Sequence, residues 1–316
     1  MSLEDDLPNL FRSRAKTAEI LVNVRAKAAE FCCDRDIVIG TVGSFARGEA
    51  TSESDLDFFA ICPREKGADA KKILVEVGPK LVDIVGKPPS TTGAFNEVEL
   101  LEDMLVNIGG QDDSNEKITR RVLLLLEGSW LTNEHSFPGL QRQLFEKYVR
   151  PSISAHQLCL FLLNDIIRYY RTMCVDFDHK TIENKKPWGI RNIKLVYSRK
   201  LIYFSAIIII AETYQRSYFE KMRIMTEGFA KTPTQRLLDI CGDAAIPALK
   251  LYDDFLGALD NPEMRRELEN TAEGQRNENE TFRRLKDNGH HFSIKLMNLL
   301  DLSFGRSHPI HRALVL

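Results

Sequence analysis

Residues 37–62 read Ile37-Val-Ile-Gly-Thr-Val42-Gly43-Ser44-Phe-Ala-Arg47-Gly-Glu49-Ala-Thr51-Ser-Glu-Ser-Asp55-Leu56-Asp57-Phe58-Phe59-Ala-Ile-Cys62. The first six residues are short and β-branched and are stopped by Gly43, which predicts a strand running into a tight turn. After the polar turn 51–54, a second strand over 55–62 is closed by Pro63. Successive side chains on a strand point to opposite faces, so Asp55 and Asp57 share one face while Leu56 and Phe58 point into the core. Two carboxylates held side by side repel unless a cation neutralises them, and hard oxygen ligands of this kind suit Mg²⁺ or Mn²⁺.

Downstream, a helix is expected from about 68 to 77, and Leu81-Val82-Asp83-Ile84-Val85, ended by Gly86, reads as a third short strand. A lone carboxylate among apolar residues is costly to bury, so Asp83 is expected to face Asp55 and Asp57 from a neighbouring strand. Three such groups bridge two metal ions, one activating an attacking oxygen and the other clamping a triphosphate. Gly43 and Ser44 complement them, because glycine lets a phosphate approach the backbone and the serine hydroxyl adds a donor. Arg47, one turn on, is expected at the same phosphates, with Glu49 as its alternative local partner.

Further out, the 316 residues are enough for two domains, expected at 1–150 and 151–316. The first holds the small mixed sheet. The second is mostly helical, with patterns at about 95–107, 115–128, 138–149, 152–174, 190–214, 217–229, 233–242 and 262–286. The fold class is therefore α+β, with a helical domain following the sheet. Hydrophobic residues at 43% and charged residues at 28% fit an ordinary globular chain. With 43 Lys and Arg against 45 Asp and Glu, the net charge of -2 excludes a nucleic-acid coat protein. The 6 cysteines form no CxxC pair and read as buried, reduced thiols. The run Leu201–Ala211 is far too short to span a bilayer and reads as a buried helix. No secretory leader is legible at the start of the sequence, so a cytoplasmic location away from membranes is expected.

Gly43-Ser44, ten residues, Asp55-Leu56-Asp57 and a later strand carboxylate together resemble the DNA polymerase beta nucleotidyltransferase superfamily. The resemblance implies that Asp55, Asp57 and Asp83 hold metal and that Gly43 and Ser44 bind the NTP. A second stretch, Lys186-Pro187-Trp188-Gly189-Ile190-Arg191-Asn192-Ile193-Lys194, is similar to a Gly-Gly-(Leu/Ile)-Arg-(Asp/Glu)-Ile signature. That signature belongs to bacterial protein-PII uridylyltransferases and glutamine synthetase adenylyltransferases. Here Trp188 replaces the first glycine and Asn192 the acidic residue. The resemblance adds Arg191 and Lys194 as nucleotide-binding groups, and their alternative is plain coverage of a helix surface.

The expected reaction is transfer of NMP from an NTP to an acceptor hydroxyl with release of pyrophosphate. A protein side chain, a small molecule, and a growing oligonucleotide or second messenger (as in phage defence) are all acceptors compatible with the same carboxylates. The competing reading from another class is a catalytically silent regulatory or antitoxin-like module that binds a nucleotide or a partner protein.

Overall fold

The computed structural model describes residues 2–89, 97–182 and 187–315, without the side chains of 178–180 and 182. Residues 95–96 of the helix expected at 95–107, and Lys186 at the head of the second motif, lie outside the described residues. In chain order the elements are α1 (Leu3–Asp6), α2 (Pro8–Phe31), β1 (Val38–Val42), α3 (Gly43–Arg47), β2 (Asp57–Cys62), α4 (Gly67–Val85) and β3 (Val98–Leu100). Next come α5 (Leu101–Leu105), α6 (Asn115–Glu127), β4 (Ser129–Trp130), α7 (Phe137–Tyr148), α8 (Leu160–Ile182) and α9 (Trp188–Lys194). The last are α10 (Lys200–Glu212), α11 (Tyr218–Phe229), α12 (Pro233–Cys241), α13 (Ile246–Asp260), α14 (Pro262–Asn270), α15 (Glu280–Phe304) and α16 (Pro309–Ala313).

The chain divides into two compact units. A sheet unit comprises 13–162 and 215–232, and a helical unit comprises 1–12, 163–214 and 233–316. Within the sheet unit the described strands form one mixed sheet in the order β3-β2-β1-β4. β1 pairs antiparallel with β2 and with β4, whereas β3 runs parallel to β2. A parallel neighbour needs a long crossover, and α4 supplies it. Leu21, Val24 and Ala28 of α2 and Leu74, Val77 and Leu81 of α4 bury one sheet face together with Ile39, Ala60 and Cys62.

The helical unit is built around α10, whose residues 201–211 are buried all round except for half-buried Tyr203, as expected for so apolar a run. Tyr197, just before α10, stacks between Phe255 (4.7 Å) and Phe292 (5.3 Å) and donates its hydroxyl to Leu285 O at 2.8 Å. Among the described residues no helix is long and apolar enough to cross a membrane. Of the cysteines, Cys32, Cys62 and Cys159 are buried, whereas Cys33 and Cys174 are exposed, which corrects the uniformly buried expectation. All six carry free thiols.

Candidate active site

The chain leaves β1 at Val42 and turns at Gly43, whose φ of 80° is a conformation that residues bearing a Cβ rarely adopt. Val42 stands opposite Asp57 in the sheet. A Cβ added to Gly43 would lie 3.6 Å from Asp57 Oδ2, so the carboxylate sits over bare backbone. Thr41 Oγ1 donates to Asp57 O at 2.7 Å and fixes the first residue of β2. Leu56 and Ala60 are buried in the core, so the alternation along β2 directs Asp57 to the other side. Asp55, Asp57 and Ser44 are all half-buried and therefore reachable from solvent. The strand itself begins at Asp57, with Asp55 in the segment just before it.

Arg47 departs from its expected place among the phosphates. It is buried at the end of α3, where Nε donates to Glu49 Oε2 at 2.8 Å and Nη1 pairs with Glu127 Oε2. Glu127 is the last residue of α6, directly ahead of β4. The guanidinium thereby ties the motif turn to the end of α6, ahead of the edge strand β4 beside β1. A phosphate at Arg47 would have to displace a buried carboxylate from its cation, which is costly. Glu49 also bears on a second guanidinium: burial pushes Arg14 below its ordinary range, and the Glu49 charge opposes that shift.

Asp83 lies elsewhere too. The segment expected as a third strand is the last turns of α4, which continues through Pro79 and ends where the Gly86 N–H bonds Val82 O at 2.7 Å. Helical spacing decides this, because Ala70, Leu74, Val77 and Leu81 recur on the buried face. Asp83 falls on the opposite side and is exposed. β3 takes the expected strand's place, setting Glu99 opposite Ile61 on the face that Asp57 uses. Glu99 is four residues further along, roughly 13 Å from the level of Asp57. It is buried and held by Arg120, with Nε–Oε1 of 3.2 Å. Glu97, whose backbone carbonyl accepts from the Ala60 N–H at 2.9 Å, is exposed. Among the described residues, no three His, Cys, Asp or Glu side chains stand close enough to hold a metal ion together.

Arg191 and Lys194 sit in the helical unit on α9, both half-buried. Gly189 explains the glycine of their motif structurally: a Cβ there would meet Leu268 O at 2.5 Å, at the end of α14. Burial, reinforced by the Arg199 charge, pushes Arg191 below its ordinary range, against a weaker pull from Asp176. Its Nε is buried and makes no hydrogen bond among the described residues.

Residues 25–107, from within α2 to just beyond α5, match the family described as Nucleotidyltransferase domain. No curated protein matches the chain. The sheet unit thus carries a nucleotidyltransferase domain, and the match supports the polymerase beta type for the segment containing Gly43, Ser44, Asp55 and Asp57. The protein is a nucleotidyltransferase enzyme, acting on an NTP in NMP transfer. Sequence reasoning missed Thr41 and Glu127. Neither had a motif to mark it, since each acts through a partner distant in the chain.

Proposed function

We propose that the turn at Gly43-Ser44 and the carboxylates of Asp55 and Asp57 form the site at which an acceptor hydroxyl attacks the α-phosphorus of an NTP. The new O–P bond forms as the bond to the β-phosphate bridging oxygen breaks, and pyrophosphate leaves with the acceptor proton passing to solvent. The observation that carries this reading is the approach of Asp57 Oδ2 to within 3.6 Å of where a Cβ on Gly43 would stand. Glycine there leaves room for a phosphate beside a carboxylate, an arrangement that a metal-bridged triphosphate requires and that two anions alone would resist.

The donor set fits Mg²⁺ or Mn²⁺, since such ions are commonly held by one or two carboxylates with water and substrate phosphates completing the shell. Asp55 and Asp57 would hold the ion, which supplies charge neutralisation to the triphosphate and leaving group. The two-ion arrangement expected from the sequence loses its third ligand with Asp83, exposed on α4. Ser44 contributes a hydroxyl donor to the phosphates. Arg47 acts through Glu49 and Glu127 to hold the turn in place. Resemblance to uridylyl- and adenylyltransferases supports a hydroxyl acceptor. The departures at Trp188 and Asn192 detach it from protein PII and glutamine synthetase as particular acceptors.

The test is incubation of the full chain with α-labelled NTPs and Mg²⁺, alone and with candidate hydroxyl acceptors. Label moved to an acceptor by the wild type and not by Asp57→Asn supports the reading. Tight NTP binding with no transfer to any acceptor would replace it with a silent nucleotide-binding module.

A further inference from the structure

The helical unit holds a cleft of about 530 Å³ lined by Phe177 of α8, Trp188 and Asn192 of α9, Arg276, and Phe282 and Lys286 of α15. The half-buried Trp188 ring is wedged between Phe282, at 5.1 Å, and Phe177, at 6.3 Å. An indole pinned by two other rings is a rigid surface on which a flat group can stack at little entropic cost. Lys286 Nζ donates to Asn192 Oδ1 at 2.7 Å, which holds the ammonium beside the indole.

Charge around Lys286 is unbalanced. Burial and the Arg276 charge hold its pKa below the ordinary lysine range. Burial and Lys286 do the same to Lys200, whose Nζ donates to Ser293 Oγ at 2.5 Å. Arg276, Arg283 and Lys286 face Glu273 and Asp287 across the cleft, all five exposed, which leaves one positive charge in excess. Cations crowded together repel one another, and a bound anion removes that cost.

We propose that this cleft binds a nucleoside phosphate, its base stacked on Trp188 and its phosphate on Lys286 and Arg276. A neutral nucleoside would use only the ring and an acidic peptide only the cations, whereas a nucleoside phosphate uses both. The group is either a free nucleotide or the phosphorylated end of a nucleic-acid strand. The site lies wholly within the helical unit and needs neither a metal nor Asp57, so it stands or falls apart from the transfer reaction.

The experiment is calorimetric titration of the full chain with AMP, and with a short 5′-phosphorylated oligonucleotide, in EDTA. Saturable AMP binding is expected in the wild type and, unchanged, in Asp57→Asn. Lys286→Gln, at an exposed position, should weaken it about tenfold, with Lys286→Arg restoring most of the affinity. Trp188→Leu should cost about tenfold, and Trp188→Phe much less. Tighter binding of the oligonucleotide than of AMP assigns the ligand to strand ends, and equal or weaker binding assigns it to free nucleotides. AMP that fails to saturate, that binds Lys286→Gln as well as wild type, or that is lost in Asp57→Asn overturns the proposal.

Discussion

Two arginines expected at the nucleotide, Arg47 and Arg191, stand in opposite electrostatic settings. Arg47 is buried between two carboxylates, Glu49 and Glu127, and pairs with both. Arg191 is half-buried on α9, where burial and then the Arg199 charge disfavour its cation against a weaker pull from Asp176, and its Nε lacks a hydrogen bond among the described residues. A guanidinium with its anions built in is structural, whereas one kept among cations has capacity left for a ligand. Residue type and motif position did not separate them; the distant partners did.

The sharpest way to break this contrast is to remove Arg47. Arg47→Met takes the paired guanidinium away from the buried Glu49 and Glu127, and should destabilise the sheet unit by about 3 kcal/mol or more, read from denaturant unfolding. Unchanged stability would return Arg47 to the phosphates. Glu127→Gln should cost less, about 1–3 kcal/mol, because Glu49 still holds the guanidinium. Its further mark should be a raised KM for NTP, as the turn at Gly43 loses its tie to α6.

Arg191→Ala should act the other way round. Relieving like-charge repulsion should keep stability within about 0.5 kcal/mol of wild type, or raise it slightly. Anion affinity of the helical unit, measured with AMP, should fall several-fold and lose part of its salt dependence. A melting temperature several degrees lower with unaltered AMP affinity would make Arg191 a packing residue like Arg47.

Local patterns were legible where chemistry and periodicity agreed. β1, the Gly43 turn and β2 followed from β-branched composition and a glycine stop, although β2 begins at Asp57 and leaves Asp55 outside it, and α10 followed from its unbroken apolar run. The segment around Asp83 misled because Leu-Val-Asp-Ile-Val has strand composition and follows Pro79. The longer period through Ala70, Leu74, Val77 and Leu81 won, and packing on β2 carried the helix through the proline. α13 has no counterpart in the sequence reading, although Pro247 in its first turn and Leu249, Tyr252, Phe255 and Leu256 on its buried side were signals for a helix. The helix expected from 152 begins only at Leu160. Glu127 and Thr41 became functional candidates only through partners 80 and 16 residues away. Such pairings have no local signature.

The most direct measurement is the single-turnover rate of label transfer from an α-labelled NTP by Asp57→Asn and Asp83→Asn, side by side with wild type. Asp57 lies against Gly43 and should cost about 10²–10³-fold in rate when its charge is removed. Asp83, exposed on α4, should leave the rate within about twofold. Wild-type turnover in Asp57→Asn, or a collapse in Asp83→Asn, would contradict a transfer site built on the Gly43 turn and the Asp55-Asp57 pair.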